Sequence, residues 1–261
     1  MDILTEIVET TRAILDDRRR ETPMEVLRDQ VFRQNRAAFS LRERCERERS
    51  KPQIIAEFKR KSPSRPDIAL DADPVKVAEQ YALGGAAAMS VLTEPAFFAG
   101  SPDDLRAVRA RIDLPVLRKD FMIDRYQFYE AKAMGADLVL LIARILAPGE
   151  IVDFCHLAHE LGMEVLCEIH NLEELERIGS APIDFLGVNC RDLERFQTNL
   201  DSLIAVVPDL PRHIPLVAES GIHSPEDLQR LWSAGYRLFL IGEYLMKHGH
   251  PENALRELGA L

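Results

Sequence analysis

From residue 53 onward the chain alternates short, almost uninterrupted apolar runs with longer stretches whose apolar residues recur every three or four positions. The runs are QIIAEFK (53–59), AAMSVLTE (87–94), PVLRKDF (115–121), ADLVLLIAR (136–144), EVLCEIH (164–170), FLGVNCRD (185–192), PLVAESG (215–221) and RLFLIGE (237–243). The segments between them, such as PVKVAEQYALGG, SPDDLRAVRARI, EIVDFCHLAHELG and SPEDLQRLWSAG, have helical period, and Gly, Pro, Asp or Ser marks the joins. Runs that are apolar on both faces are expected of parallel strands covered by helices. Eight of them, each followed by a helix, predict a (β/α)8 barrel. An open doubly wound sheet is the competing arrangement. No GxGxxG follows the first run, however, and the even repetition favours closure.

The first 50 residues keep a different pattern. ILTEIVETTRAILDD repeats apolar residues at Ile3, Ile7 and Ile14, and Pro23 opens a second helical stretch, PMEVLRDQVFRQ. RERCERERSK (42–51) reads as a solvated turn of helix and a linker without chemistry. The expectation is one barrel domain over residues 1–261, with residues 1–50 as extra helices that close its lower end or flank its mouth.

Composition narrows the function classes. A net charge of -10 argues against a general binder of nucleic acid or acidic membranes. MDILTEIVET has no basic region followed by an apolar core, so no signal peptide is expected. The longest apolar run, LVLLIA, is far short of the roughly 20 residues that span a bilayer. Cys45, Cys155, Cys167 and Cys190 show no CxxC spacing, which points to reduced structural thiols in a cytoplasmic protein with no metal site.

Against that acidic total, the basic cluster EFKRKSPSR (57–65) stands out. Alternation along a strand points Glu57 and Lys59 to the same side and Arg60 to the other. The stretch therefore reads as a carboxylate–ammonium pair followed by a loop that begins at Ser62. Arg60, Lys61 and Arg65 are left to solvation, with Arg60 the one suited to a carboxylate contact. Every other run also ends in polar groups: Glu94, Lys119/Asp120, Arg144, Glu168/His170, Asn189/Arg191, Glu219/Ser220 and Glu243. In a barrel these ends share the face where active sites lie. Ser220 and Gly221, followed by the helix start Ser224–Pro225–Glu226, and Gly242 with Glu243 fall in the loops where barrels bind phosphate.

IIAEFKRKSPSR, SVLTEPAFFAGS, LRKDF, ADLVLLIA, EVLCEIH, GVNCRDL, VAESGI and LIGEYLM together resemble the indole-3-glycerol phosphate synthase family, in order through all the strands. The resemblance implies a cofactor-free closure of 1-(2-carboxyphenylamino)-1-deoxyribulose 5-phosphate to an indole, with loss of CO2 and water. By that resemblance Lys119 is the principal general acid, with nearby cations or burial expected to help it donate. Glu168 removes a proton or stabilises a cationic intermediate. Glu57 and Lys59 form a second pair, and the division of acid and base labour among these four stays open. Asn189 and Arg191 orient the substrate, with an ion-pair strut the alternative for Arg191. Ser62, Ser220, Gly221, Gly242 and Glu243 hold phosphate, the last through its backbone N–H, and Phe98 and Phe121 enclose the aromatic ring. His170 is left as structural. Pro66 stands where glycine is common, and Cys190 where a second Asn is common. The implied partner is a small phosphorylated substrate, without nucleic acid or membrane; a monomer is expected, with an oligomer left open. The rival readings are another phosphate-binding barrel such as phosphoribosylanthranilate isomerase, which would need a Cys/Asp acid–base pair, and a catalytically inactive barrel kept as a binding partner.

Overall fold

Strands β1 (Gln53–Phe58), β2 (Ala88–Leu92), β3 (Val116–Lys119), β4 (Leu138–Ile142), β5 (Glu164–Ile169), β6 (Phe185–Asn189), β7 (Leu216–Glu219) and β8 (Leu238–Ile241) pair in parallel in chain order, and β8 closes on β1. The computed structural model describes residues 2–34, 36–191 and 198–259. The helices are α1 (Ile3–Glu21), α2 (Met24–Arg33), α3 (Leu41–Arg47), α4 (Pro74–Leu83), α5 (Pro95–Phe98), α6 (Pro102–Arg109) and α7 (Arg125–Met134). They continue with α8 (Pro148–Glu160), α9 (Leu172–Ile178), α10 (Leu200–Val206), α11 (Pro225–Ala234), α12 (Glu243–Lys247) and α13 (Pro251–Gly259). This is the (β/α)8 barrel that the apolar rhythm predicts. Among the described residues no helix is long and apolar enough to cross a membrane.

Strand alternation sorts the apolar residues into two compartments. Ile55, Leu117, Leu138, Leu140, Leu166, Phe185, Val217, Leu238 and Leu240 fill the barrel interior. Ile54, Ala56, Phe58, Val116, Val139, Val165, Ala218 and Phe239 pack outward under the helices. The strands stop sooner than their apolar runs. β2 ends at Leu92 because Glu94 caps α5, accepting the backbone N–H groups of Ala96, Phe97 and Phe98 at 2.8, 2.7 and 3.1 Å. β4 ends at Ile142, and Arg144 lies in a 3-10 turn over Ala143–Ile145. The sixth run was expected to reach Asp192, which lies outside the described residues.

The leading helices occupy both ends of the barrel. On α1 the buried stripe is Leu4, Ile7, Thr11 and Leu15, while Ile3 and Ile14 sit half-buried at its edges. The expected Ile3–Ile7–Ile14 series is therefore displaced by one position at each end. Leu15 packs with Leu27 of α2 and Tyr126 of α7. The Tyr126 hydroxyl donates to the carbonyls of Arg18 and Thr22 at 3.1 and 3.0 Å, tying the end of α1 to α7. At the opposite end, Leu41 of α3 is fully buried against the interior residues. Glu164 at the start of β5 holds this helix by accepting from Ser40 Oγ at 2.5 Å and from the N–H of Leu41 at 3.0 Å. Leu41, the residue just before the segment read as solvated linker, is thus a plug for the barrel floor, while residues 42–51 are exposed or half-buried.

One buried ion network lies behind the sheet. Arg118, fully buried on the outer face of β3, reaches Asp120 Oδ2 at 2.8 Å, Glu130 Oε2 at 2.6 Å and the Gln127 carbonyl at 2.9 Å. Glu130 also binds Arg18 of α1 at 3.1 Å. Strand β3, helix α7 and helix α1 are thereby joined through charge as well as apolar contact.

Leu41→Ala should lower stability by about 3 kcal/mol through the cavity left in the barrel floor. Urea unfolding followed by circular dichroism measures it, and a negligible loss would show that α3 does not seal that end.

Candidate active site

The inward column of each strand changes character toward its C-terminal end. Ile55 is followed two residues later by Glu57 and then Lys59, Leu117 by Lys119, and Leu166 by Glu168 and then His170. Gly187 leads to Asn189 and Arg191, and Val217 to Glu219. A period of two keeps each series on one face, so an apolar interior is roofed by a layer of ionisable groups. All of these except Ile55, Leu117, Leu166, Gly187 and Val217 line a single cavity of about 1170 Å³, counting its open mouth.

Lys119 stands at the centre. Its Nζ is 3.0 Å from Glu168 Oε2 and 3.7 Å from Glu219 Oε2. Glu57 and Lys59 form the expected second pair at 2.5 Å. Asn189 Nδ2 donates to Glu168 Oε1 at 3.1 Å, and the Asn189 side-chain oxygen accepts the N–H of Arg191 at 3.0 Å. Two glycines make room for this layer. A Cβ at Gly187 would run into the Glu219 carboxylate, and one at Gly242 would run into that of Glu57. Gly242 has a negative φ of -120, so its requirement for glycine is steric.

Burial opposes charge on Lys119, but the surrounding carboxylates of Glu168, Glu219 and Glu57 outweigh it and raise its pKa above the ordinary value. The expectation that burial or cations would ease proton donation is thus reversed, because the groups packed around the ammonium are anions. Burial also works against ionisation of Glu168, yet Lys119, His170 and the hydrogen bonds from Lys119 and Asn189 bring its pKa down to about 2. Glu219 goes the other way. Burial and the neighbouring Glu168 push it well above the ordinary range, with Lys119 opposing. The distances give the reason: the ammonium sits nearer Glu168 and serves that carboxylate first, so Glu219 holds its proton.

The walls on one side are apolar. The rings of Phe98 and Phe121 lie 6.0 Å apart, centroid to centroid, and Leu92, Leu140 and Ile142 complete the surface with Ile3, Leu4 and Ile7 of α1. Arg60, facing outward as alternation requires, forms an ion pair with Asp104 and donates to the Ala99 carbonyl at 3.2 Å. The end of α5, which carries Phe98, is thus stapled to the chain just beyond β1.

The opposite side offers hydrogen-bond donors. Ser220 and Gly221 both have left-handed backbones, φ 68 and 76, which turn the chain sharply after β7. Ser62, Ser64 and Arg191 line the same cavity, with Arg191 Nη1 donating to Ser64 Oγ at 2.7 Å. The Glu243 carboxylate is engaged by Lys247 at 2.7 Å and Arg65 at 3.4 Å, so only its backbone is left for an anion. The Cys190 thiol points at the carbonyls of Glu219 and Ser220, each 3.6 Å away, and burial raises its pKa.

The structure brings Lys119, Glu168, Glu57, Lys59, Asn189, Arg191, Ser62, Phe98, Phe121, Ser220, Gly221, Gly242 and Glu243 to this one cavity. Of the other polar strand ends, Glu94 and Arg144 are not among its lining residues. Asp120 lines the cavity but is spent on Arg118 and on Thr93 Oγ1 at 2.6 Å, not on Lys119. Two groups were given no chemistry from the sequence: Glu219, left without a role, and His170, read as structural. Their signal was present as inward position two residues beyond Val217 and Glu168. Among the described residues lining the cavity there is no cysteine, and no cluster of metal-binding side chains occurs.

A family model described as indole-3-glycerol phosphate synthase matches residues 4–258. A protein of Salinibacter ruber named indole-3-glycerol phosphate synthase is 43% identical over 261 residues, covering 100% of this chain and 96% of its own. One of the same name from Carboxydothermus hydrogenoformans is 44% identical, covering 98% of each. Among solved structures, 3-hexulose-6-phosphate synthase from Salmonella typhimurium superposes with a TM-score of 0.64 at 14% identity, over 79% of this chain and 96% of that one. A likeness at that identity speaks for the barrel alone.

Glu219 supplies a test of the charge layer. A carboxyl whose folded pKa lies above its unfolded value takes up a proton on folding, so its contribution to stability falls as pH rises above the ordinary carboxylate range. Glu219→Gln keeps the neutral form. It should leave Tm near the wild-type value at about pH 4 and raise it increasingly toward about pH 8. A Tm difference that does not change with pH would mean that Glu219 is ionised in the folded protein.

Proposed function

The chain belongs to the indole-3-glycerol phosphate synthase family, and from that premise we propose how its cavity performs the family's reaction. The enzyme is a carboxy-lyase of tryptophan biosynthesis. It closes 1-(2-carboxyphenylamino)-1-deoxyribulose 5-phosphate to indole-3-glycerol phosphate, with release of CO2 and water.

The observation that carries the site assignment is the position of Lys119, held beside Glu168 in a cavity that Phe98, Phe121 and the left-handed Ser220–Gly221 turn also line. The anthranilate ring lies against Phe98 and Phe121, and the phosphate lies at the other end, against Ser62, Ser220, Gly221 and the backbone of Gly242 and Glu243. The ribulose ketone is then placed over the charge layer. As the ring carbon bearing the carboxylate attacks it, the ketone oxygen becomes an alkoxide and Lys119 protonates it. A raised pKa suits this step, because the ammonium is fully protonated beforehand and the alkoxide is the stronger base. Loss of CO2 restores the aromatic ring. The hydroxyl then departs as water with a proton from the Lys59–Glu57 pair, and Glu168 takes the proton whose loss completes the indole. Asn189 holds Glu168 in place, and Arg191 contacts the substrate.

We further propose that the chain works as a cytoplasmic monomer of one domain, without nucleic acid or membrane. A net charge of -10, four free cysteines and the contribution of α1 to the cavity wall support that reading.

The fluorescence of the indole product gives the assay. Lys119→Ala should lower kcat by about three orders of magnitude or more while the fold persists, as expected for loss of a group acting in the transition state. Retained turnover would remove Lys119 from the acid role. Ser220→Leu should act chiefly on KM, and an unchanged KM would count against phosphate at the turn. Gly242→Ala should lower kcat as well, since the added methyl displaces Glu57.

A further inference from the structure

His170 was expected to be structural, yet it lines the cavity two residues beyond Glu168 on the same face of the chain. Its ring is fixed from behind. Nδ1 lies 3.2 Å from Glu174 Oε2, and the same oxygen accepts the His170 backbone N–H at 2.8 Å. Nε2 is then turned toward Glu168 Oε1 at 3.5 Å, which is ion-pair distance but long for a hydrogen bond. That nitrogen is shielded from solvent and has no hydrogen-bond partner among the described residues. A buried polar atom left in this way is costly unless a function or a charge explains it.

The geometry restricts the protonation state. If Nδ1–H is given to Glu174, a neutral ring would aim the Nε2 lone pair at a carboxylate, and the two would repel. The contact is favourable only when Nε2 carries a proton. Glu168 is then attended on both oxygens: Oε1 by Asn189 and the His170 ring, Oε2 by Lys119.

We propose that His170 is a positioning residue for the reaction, an imidazolium held by Glu174 that directs Nε2–H at Glu168 Oε1 and leaves Oε2 turned to Lys119 and the substrate. This inference rests on the assignment of Glu168 as the proton acceptor. The groups around the ring are Glu168 on β5, Glu174 on α9, Arg144 on the turn after β4, Asn189 at the end of β6 and Arg191 just beyond it. Burial and Arg144 oppose the positive ring, and the two carboxylates prevail and raise its pKa above the ordinary histidine value. The linkage sign follows from that direction: the ring's stabilising contribution is complete at acidic pH and fades as pH rises through the raised value.

The test separates this role from that of Glu168. In the wild-type enzyme, nitrogen-15 spectra with His170 assigned by loss of its signals in His170→Asn should show both ring nitrogens protonated near neutral pH. A bare Nε2 there would overturn the proposal. Glu168→Gln should lower the His170 pKa, and an unmoved value would overturn it equally. In turnover, His170→Ala should lower kcat about tenfold with KM within about twofold, and should move the acidic limb of kcat/KM to higher pH. His170→Gln, whose amide reaches toward the same oxygen, should recover most of kcat without returning the limb. A folded His170→Ala enzyme with the wild-type pH profile sinks the idea. Should Glu168→Gln keep full turnover, Glu168 is not the proton acceptor and that assignment falls, whatever the ring spectra show of the His170–Glu168 contact.

Discussion

The ammonium of Lys119 faces more carboxylates than it can neutralise, and the barrel mouth is arranged around that shortage. Glu168 lies nearest and takes the charge, Glu219 keeps its proton, and Glu57 turns to an ammonium of its own in Lys59. Unit charges about 4 Å apart interact by roughly 4 kcal/mol where the effective dielectric constant is near 20, so no member of such a layer ionises independently. Removing one partner of a buried pair strands the other, at about 3–5 kcal/mol. The layer is therefore held as a unit. Space for it is created where side chains are missing, at Gly187 beneath Glu219 and at Gly242 beside Glu57.

The same strand that presents Lys119 inward presents Arg118 outward, and the two sets of charges are kept apart by the sheet. Outside, Arg118 is satisfied by Asp120, Glu130 and the Gln127 carbonyl. Glu130 extends the contact to Arg18 near the end of α1, whose opposite end supplies Ile3, Leu4 and Ile7 to the cavity wall. A helix outside the repeating unit of the barrel is thus fastened at one end to β3 and bounds the cavity with the other.

The barrel was legible because its strands are nearly continuous apolar runs and its helices carry clear caps and periods. The inward direction of Glu57 and Lys59, and the outward direction of Arg60, followed from alternation alone. Strand ends were less legible. Glu94 and Arg144 belong to apolar runs, but local capping and a tight turn take them off the strand, and propensity does not register either event. The α1 stripe was displaced by one position at each end because tertiary contact, such as that of Leu15 with Leu27 of α2 and Tyr126 of α7, decides which of two adjacent apolar residues is buried. Electrostatics was the least accessible. That Lys119 is surrounded by anions and that Glu219 meets Glu168 depend on neighbours far apart in the chain. The turn of Asp120 to Arg118 and of His170 to Glu168, each two residues away, depends on side-chain direction that spacing alone does not give.

Strand β1 has two occupations at once. Its inner face carries Glu57, with Lys59 just past its end on the same side, and Arg60 beside it grips Asp104 and the Ala99 carbonyl, holding the end of α5 on which Phe98 stands. The charged floor and the aromatic wall are thereby registered to the same length of backbone. An arginine that does not line the cavity thus fixes the position of one of its walls. Changes at Arg60 or Asp104 would tilt that wall against the floor, so the shortest route to reshaping this cavity runs behind the sheet.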